Sequence, residues 1–238
     1  MAKIKGIELI KDGKRLDGRK PLQLREVEMK VGIIPNANGS AMVRFGKTIA
    51  VAAVYGPRLL LPKHLQEGDK AIIQCRYNMA PFSTDDRVKP GSSRREVEIS
   101  KVVRQALEPV LFLENYPKTT IDVYIEIIQA DGSTRVTSVN AASLALADAG
   151  VPMKDLIVAL SGGKINGTLI LDLNGIEDNN SEADMPMAFT ASKKEITLLQ
   201  MDGELKHEEI KKLMSEMFKA GEDLYKMQIK ALKDRYSE

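Results

Sequence analysis

One stretch constrains this chain more than any other: a strand that turns sharply into a helix of small residues. Thr120 to Ile128 sets Ile121, Val123, Ile125 and Ile127 against Asp122, Tyr124 and Glu126, the period of two of a strand. Asp131-Gly132-Ser133-Thr134-Arg135 follows, and Val136 to Ala149 then reads as a helix. Ser138, Ala141, Ala142, Ser143, Ala145, Ala147 and Ala149 let that helix lie close to a sheet or another helix, and Gly150 and Pro152 are stop signals. The reading is a tightly packed core helix whose N-terminus alone is a functional candidate.

That N-terminus carries two hydroxyls and a guanidinium. Free N–H groups and the positive end of the helix dipole favour an anion there. Arg135 sits at the wrong end for a cation, at a cost of about 0.3–1 kcal/mol. Either an anion or a nearby carboxylate would answer it. A second helix repeats the pattern. Ser93-Arg94-Arg95-Glu96 is a capping box, followed by the stripe Ile99, Val102, Val103, Ala106 and Leu107 and ended near Glu108 by Pro109. Arg94 and Arg95 again fall in the first turn. Two such ends suggest one anion held between them, although spacing does not place them together.

Strands surround these helices. The spacing predicts strands over 26–34, 40–45, 48–55 and 71–79, with the apolar run Ile49 to Val54 covered on both faces. Between them, residues 56–69 form a loop with two prolines, a Leu run and Arg58, Lys63 and His64, either phosphate contacts or a solvated charge cluster. A polar loop spans 83–91. After the core helix come strands over 156–160, 168–173, 185–190 and 195–201, with Ser161-Gly162-Gly163-Lys164 read as a hairpin turn. Residues 175–184 hold four carboxylates within eight positions. Composition favours a solvated loop; the other reading is a place for Mg²⁺ and proton transfer. Residues 206–236 form an amphipathic helix packed on the sheet through Ile210, Leu213, Met214, Met217, Gly221, Leu224 and Gln228, with His207 exposed at its start. This order is an α+β pattern of two β-rich halves closed by helices. Residues 1–24, basic and turn-rich, read as a solvated arm, and 25–238 as one domain.

The net charge of +2 excludes a global basic field, so nucleic-acid binding would need a local patch. A single cysteine, Cys75, excludes an internal disulfide and fits a reducing compartment. No run approaches the ~20 apolar residues of a membrane span, and the start lacks a signal-peptide core. The expectation is a cytoplasmic protein with no membrane partner.

Several stretches taken in order resemble one family. They are Leu16-Asp17-Gly18-Arg19, Val54-Tyr55-Gly56-Pro57, Ser93-Arg94-Arg95-Glu96, Gln129 through Arg135, and Glu177-Asp178-Asn179 with Glu182-Ala183-Asp184-Met185-Pro186. The chain is similar over nearly its whole length to the RNase PH family, in the form of the catalytic subunits of archaeal exosomes. The resemblance implies an RNase PH-like fold and phosphorolysis of single-stranded RNA from its 3′ end, with inorganic phosphate as co-substrate and nucleoside diphosphates released. It implies that Arg95, Ser133, Thr134 and Arg135 hold the phosphate and that Arg94 contacts the RNA backbone. Arg58, Lys63 and His64 would face the RNA. Asp178 and Asp184 would supply a general acid or hold Mg²⁺ (or Mn²⁺), with Asp178 the more direct participant. Tyr77 or Phe82 is a candidate base platform, core packing being the plainer role for Tyr77. The implied partners are a related non-catalytic subunit in a hexameric ring, a trimer of heterodimers, and RNA-binding cap subunits. The alternatives are a non-catalytic ring subunit and a stand-alone homohexameric enzyme that trims tRNA 3′ ends.

Overall fold

The computed structural model describes residues 9–11, 13–89, 91 and 93–237. The first eight residues of the arm therefore lie outside the described residues, as do Pro90 and Ser92 of the polar loop. In chain order the elements are β1 (Ile10–Lys11), β2 (Lys14–Arg15), β3 (Val27–Val31), β4 (Gly39–Phe45), β5 (Thr48–Leu59), β6 (Ile72–Met79), α1 (Arg94–Leu107) and β7 (Thr119–Gln129). The second half holds α2 (Thr134–Asp148), β8 (Ile157–Ile165), β9 (Thr168–Leu171), α3 (Gly175–Asn180), β10 (Ala183–Thr190), β11 (Ile196–Leu199), β12 (Asp202–Gly203) and α4 (His207–Tyr236).

Among the described residues there are two five-stranded sheets and the small β1–β2 hairpin. The first sheet runs β3-β4-β5-β7-β6, antiparallel except where β6 joins β7 in parallel through the α1 crossover. The second runs β11-β10-β8-β9, with β12 also on β10. Helix α2 lies between them, touching β4, β5 and β7 on one side and β8 and β10 on the other. Its small residues are what that placement demands, and every residue from Val136 to Leu146 is buried.

Two buried polar residues tie α2 to the second sheet. Strand β9 pairs only with Gly162 to Ile165, so the earlier part of β8 has backbone groups with no strand beside them. Asn140 accepts from the Ala159 N–H at 3.1 Å and donates to the Ala159 carbonyl at 2.7 Å. Ser143 Oγ accepts from the Ile157 N–H at 2.9 Å. Gln228 of α4 donates to the Ile157 carbonyl at 2.9 Å and to Asn140 Oδ1 at 3.1 Å. Buried amides are thereby satisfied by side chains instead of a neighbouring strand.

The edge strand β6 is covered in the same manner. Tyr77 N–H donates to Ser100 Oγ at 2.9 Å and Met79 N–H to Glu96 Oε1 at 3.2 Å, both on α1. The Glu96 carboxylate also closes the capping box, accepting from Ser93 N–H at 2.6 Å while Ser93 Oγ accepts from Glu96 N–H at 3.1 Å.

Four expectations are corrected. Gly162-Gly163-Lys164 lies inside β8, and the hairpin turn falls at Asn166-Gly167. The glycines serve close approach instead: a Cβ on Gly162 would meet Leu213 of α4 at 2.8 Å, and one on Gly163 the Ala183 carbonyl oxygen at 2.4 Å. Strand β5 is covered on one face only, since Ile49 and Val51 stay half-buried opposite α2. The arm is not a solvated tail, because its Arg15 and Arg19 are buried and paired with Glu177 and Asp172 of the second half, as is Arg25 just beyond it with Asp172. The acidic loop folds into α3 and the start of β10, with Asn174 and Glu177 forming a capping box that composition does not register.

Gly39 is where β4 meets the end of α2. A Cβ there would stand 2.2 Å from the Ala149 nitrogen and 2.3 Å from the Ala145 oxygen, both backbone atoms that cannot swing aside. Gly39→Ala is expected to lower the unfolding free energy by about 1–3 kcal/mol. The change should read as a lower urea midpoint at unchanged slope; an unmoved midpoint would mean that helix and strand are not this close.

Candidate active site

The parallel β6–α1–β7 unit and the turn from β7 into α2 bring the two arginine-bearing helix starts side by side. Arg95 Nη2 lies 3.5 Å from Thr134 Oγ1. The two helix starts that spacing could not place together therefore meet at one point. A cleft of about 350 Å³ opens there, lined by Arg95, Ser133, Thr134 and Arg135 on one wall and by Asp178, Asp184 and Asp202 on the other.

The turn that forms the first wall is rigidly held. Gly132 and Ser133 both take left-handed backbone angles, φ 71° and 55°. A Cβ on Gly132 would strike the backbone of Asn174 at 2.5 Å. Thr48 of β5 clamps the turn, its hydroxyl accepting from Asp131 N–H at 2.9 Å and donating to the Gly132 carbonyl at 2.8 Å. Ser133 Oγ donates to the Leu173 carbonyl at 2.8 Å and lies 2.7 Å from Ser161 Oγ. Its hydroxyl is therefore engaged within the protein, and the uncommitted donors at this helix start are the backbone N–H groups of the first turn. Arg135 Nη2 contacts both oxygens of Glu98, at 2.9 and 3.1 Å, while its Nε is buried without a hydrogen-bond partner. A carboxylate answers part of the guanidinium and leaves the rest available.

The opposite wall is acidic. Burial raises the Asp178 carboxyl above the usual carboxylate range, Asp202 adds to the rise, and Arg95 and Arg135 oppose it. Asp184 is pushed up to about 7, first by burial and then by the negative charge of Asp178. Asp178 thus acts on Asp184, and both carboxyls feel Asp202 and Arg135 as well.

The other candidates lie elsewhere. Arg94 is exposed and does not line the cleft. Arg58 is paired with Asp122, and Lys63 and His64 sit on an exposed 3₁₀ turn with Leu59, Leu61 and Leu65 uncovered nearby. Tyr77 is 2% exposed and belongs to the core, whereas Phe82 is 72% exposed. Ser161, Asp202, Glu98 and Thr48 were not legible as site residues. Ser161 had one signal, the uninterrupted apolar run before it, which extends the strand past Leu160. Asp202 and Glu98 reach the site only through tertiary packing.

A mixed fold whose cleft sets two arginines and a helix start against a wall of carboxyls has the chemistry to take up an anion beside a group that can give a proton. Residues 23–152 match the first domain, and 155–220 the second domain, of the 3′ exoribonuclease (RNase PH) family, and the chain belongs to that family. It is 56% identical to the exosome complex component Rrp41 of Pyrococcus furiosus and 55% identical to that of Thermococcus kodakarensis, each comparison covering 99% of this chain and 95% of the relative. Rice Rrp46 superposes with a TM-score of 0.83 at 28% identity, covering 92% of this chain and all of that one. An Archaeoglobus fulgidus exosome with RNA bound to the active site shares the fold at a TM-score of 0.77 and 22% identity, over 90% of this chain and 92% of that one.

The Asp184 shift has a consequence for stability. Its carboxyl rises from 3.8 to about 7 on folding, so between those values the folded protein holds more protons than the unfolded one. Stability is then lost as pH rises through this window. Asp184→Asn removes the cost and should stabilise the protein more at about pH 8 than at about pH 4, by roughly 1–3 kcal/mol after solvent screening is allowed for. Urea titrations at the two pH values check this, and equal effects would place the Asp184 carboxyl in the ordinary range.

Proposed function

We propose that this chain is the phosphorolytic subunit of an RNA-degrading exosome, removing nucleotides one at a time from the 3′ end of single-stranded RNA. The observation that carries the reading is the cleft itself. Arg95, Arg135 and the start of α2 face Asp178 and Asp184 across a space of about 350 Å³, room for one phosphate and one nucleotide linkage. Family membership and the exosome relatives support it.

Joining two phosphate anions requires fixed positive charge before the reaction begins. Arg95, Arg135, Thr134 and the backbone at Ser133 hold inorganic phosphate. One of its oxygens attacks the phosphorus of the last linkage, and the bond from that phosphorus to the 3′ oxygen of the preceding nucleotide breaks. A nucleoside diphosphate leaves, and the shortened RNA keeps a 3′ hydroxyl. The proton for that oxygen comes from the coupled pair, with Asp178 as the more exposed, direct member and Asp184 behind it as the group that retains a proton near neutrality. Because one phosphate link is exchanged for another, the same site runs backwards as a nucleotidyltransferase that tails RNA from diphosphates.

Two mutually repelling carboxyls also suit a divalent cation. No cluster of three or more metal-ligating side chains occurs among the described residues. Mg²⁺ (or Mn²⁺) is commonly held by one or two carboxylates together with substrate phosphates, so Asp178 and Asp184 fit the role. A bound cation would neutralise charge at the leaving oxygen.

Outside the cleft, Arg94, Arg58, Lys63 and His64 guide the RNA backbone, and exposed Phe82 is available for stacking. The partners in this reading are a related non-catalytic RNase PH-like subunit in a hexameric ring of three heterodimers, and RNA-binding caps. No helix among the described residues is long and apolar enough to cross a membrane, and the lone Cys75 favours the cytoplasm. A scaffold subunit would have no need of both the arginines and the acidic pair, which favours catalysis.

Product identity tests the proposal. With a 3′-tailed RNA, Mg²⁺ and the related subunit, nucleoside diphosphates should appear only when phosphate is added. Monophosphates made without phosphate would mean hydrolysis, and RNA binding without degradation would mean a scaffold. Arg135→Ala should raise the KM for phosphate steeply. Asp178→Ala should abolish turnover while RNA still binds, and near-normal turnover would remove the acidic pair from the mechanism. Lys63→Ala should weaken RNA binding and flatten the log K against log salt slope by about 0.7; an unchanged slope would place Lys63 off the RNA path.

A further inference from the structure

The sequence arm before β3 does more than cover the molecule. Arg15, Arg19 and Arg25 converge on two buried carboxylates of the second half, Asp172 and Glu177. Glu177 immediately precedes Asp178. Arg15 Nε donates to Glu177 Oε1 at 2.7 Å, and its Nη2 pairs with Oε2. Both side chains are essentially inaccessible, at 0% and 1%. The same guanidinium donates to the Leu171 carbonyl at 2.6 Å and to the Asp172 carbonyl at 2.8 Å. Its one other bond, at 3.4 Å, goes to the Gln23 carbonyl of the arm itself, so all of its other donors serve the segment from Leu171 to Glu177.

Glu177 in turn caps α3, its Oε2 accepting from Asn174 N–H at 2.9 Å. The Asp178 N–H donates to the Asn174 carbonyl at 2.8 Å, so the reacting carboxyl hangs from the turn that Arg15 and Glu177 fix. A second connection runs to the other wall. Arg25 grips Asp172 with Nε and Nη2 at 2.9 and 2.7 Å, and its Nη1 donates to the Asp131 carbonyl at 2.6 Å. Asp131 Oδ1 accepts from Gly175 N–H, the first residue of α3, at 3.0 Å. The arm, together with Arg25 where it enters the domain, therefore contacts the acidic helix and the phosphate-holding turn at once.

We infer that the Arg15–Glu177 pair, with Arg25–Asp172 beside it, is a positioning device: the arm straps α3 to the phosphate turn and sets where Asp178 stands relative to the bound phosphate. Arg15 and Glu177 do not line the cleft. They act through Asp178. A charge pair this deeply buried is a poor source of net stability compared with apolar packing, and its two parallel contacts fix the guanidinium and carboxylate relative to each other. The inference rests on the phosphorolytic reading of the same cleft.

The test uses the full chain, assayed with the related subunit, as Arg15→Met, Arg15→Lys and Glu177→Gln. Steady-state phosphorolysis is measured alongside amide hydrogen exchange over residues 174–180. A misplaced reacting group of this kind costs on the order of 100-fold in turnover. Arg15→Met and Glu177→Gln are expected to lower kcat by about that factor, with KM for phosphate and for RNA nearly unchanged. Exchange should rise in α3 and not in α2, and Arg15→Lys should recover part of kcat. Wild-type kcat in both charge-removing variants would overturn the inference. So would a raised KM at unchanged kcat, or faster exchange across the whole chain with kcat falling only as the folded fraction falls. Should Arg15→Met not fold, Glu177→Gln, which alters a single atom, carries the same reading. If the wild type makes no diphosphates, the phosphorolytic reading fails by itself. The exchange arm then still decides the strap: loosening confined to α3 supports it, and no change overturns it.

Discussion

The burial of α2 between two sheets is the constraint on which the rest of this structure depends. A helix covered on both sides has no face for water, so its side chains must be small and its few polar atoms must find partners inside. Leaving a buried donor or acceptor unmet costs about 1–3 kcal/mol. Asn140 and Ser143 meet that demand by bonding to the part of β8 that β9 does not reach. With those bonds made, α2 cannot slide or rotate between the layers. Its first turn then emerges at a fixed point, and the end that lines the cleft is placed by the core.

The cleft is built from opposing charge drawn from separate parts of the chain. One wall gathers Arg95 and Arg135 from two helix starts, and the other gathers Asp178, Asp184 and Asp202 from a short helix and two paired strands. Such separation suits a reaction whose attacking group is an anion and whose leaving oxygen needs a proton. The carboxyls are raised despite the nearby arginines, so desolvation and mutual repulsion outweigh the attraction across the cleft. Glu98 adds a restraint from outside by holding one nitrogen of Arg135.

Much of this was legible in the sequence because it rests on local pattern. The capping box at Ser93, the alternation through Ile127 and the small-residue helix each specify an element from neighbouring residues, and their ends carry the arginines that line the cleft. What escaped depends on distant packing. Gly162 and Gly163 look like turn residues until Leu213 and the Ala183 backbone are seen against them. The run 175–184 looks solvated because composition cannot register that Arg15 lies over Glu177, far away in sequence. The basic arm misleads for the same reason, since Arg15 and Arg19 pair with the distant carboxylates of Asp172 and Glu177 rather than with water. Asp202 carries no local sign of its role, which arises from pairing beside Asp184.

The cluster of Arg15, Arg19, Arg25, Asp172 and Glu177 also gives the site an unusual response to heat. The penalty for removing charged groups from water shrinks as temperature rises, because their hydration grows less favourable. Apolar contacts gain no comparable advantage. The ionic strap therefore holds its share of the structure better on warming, while the packing around it plateaus. A cleft wall tied down by buried charge therefore pays a smaller penalty for that burial the warmer it becomes.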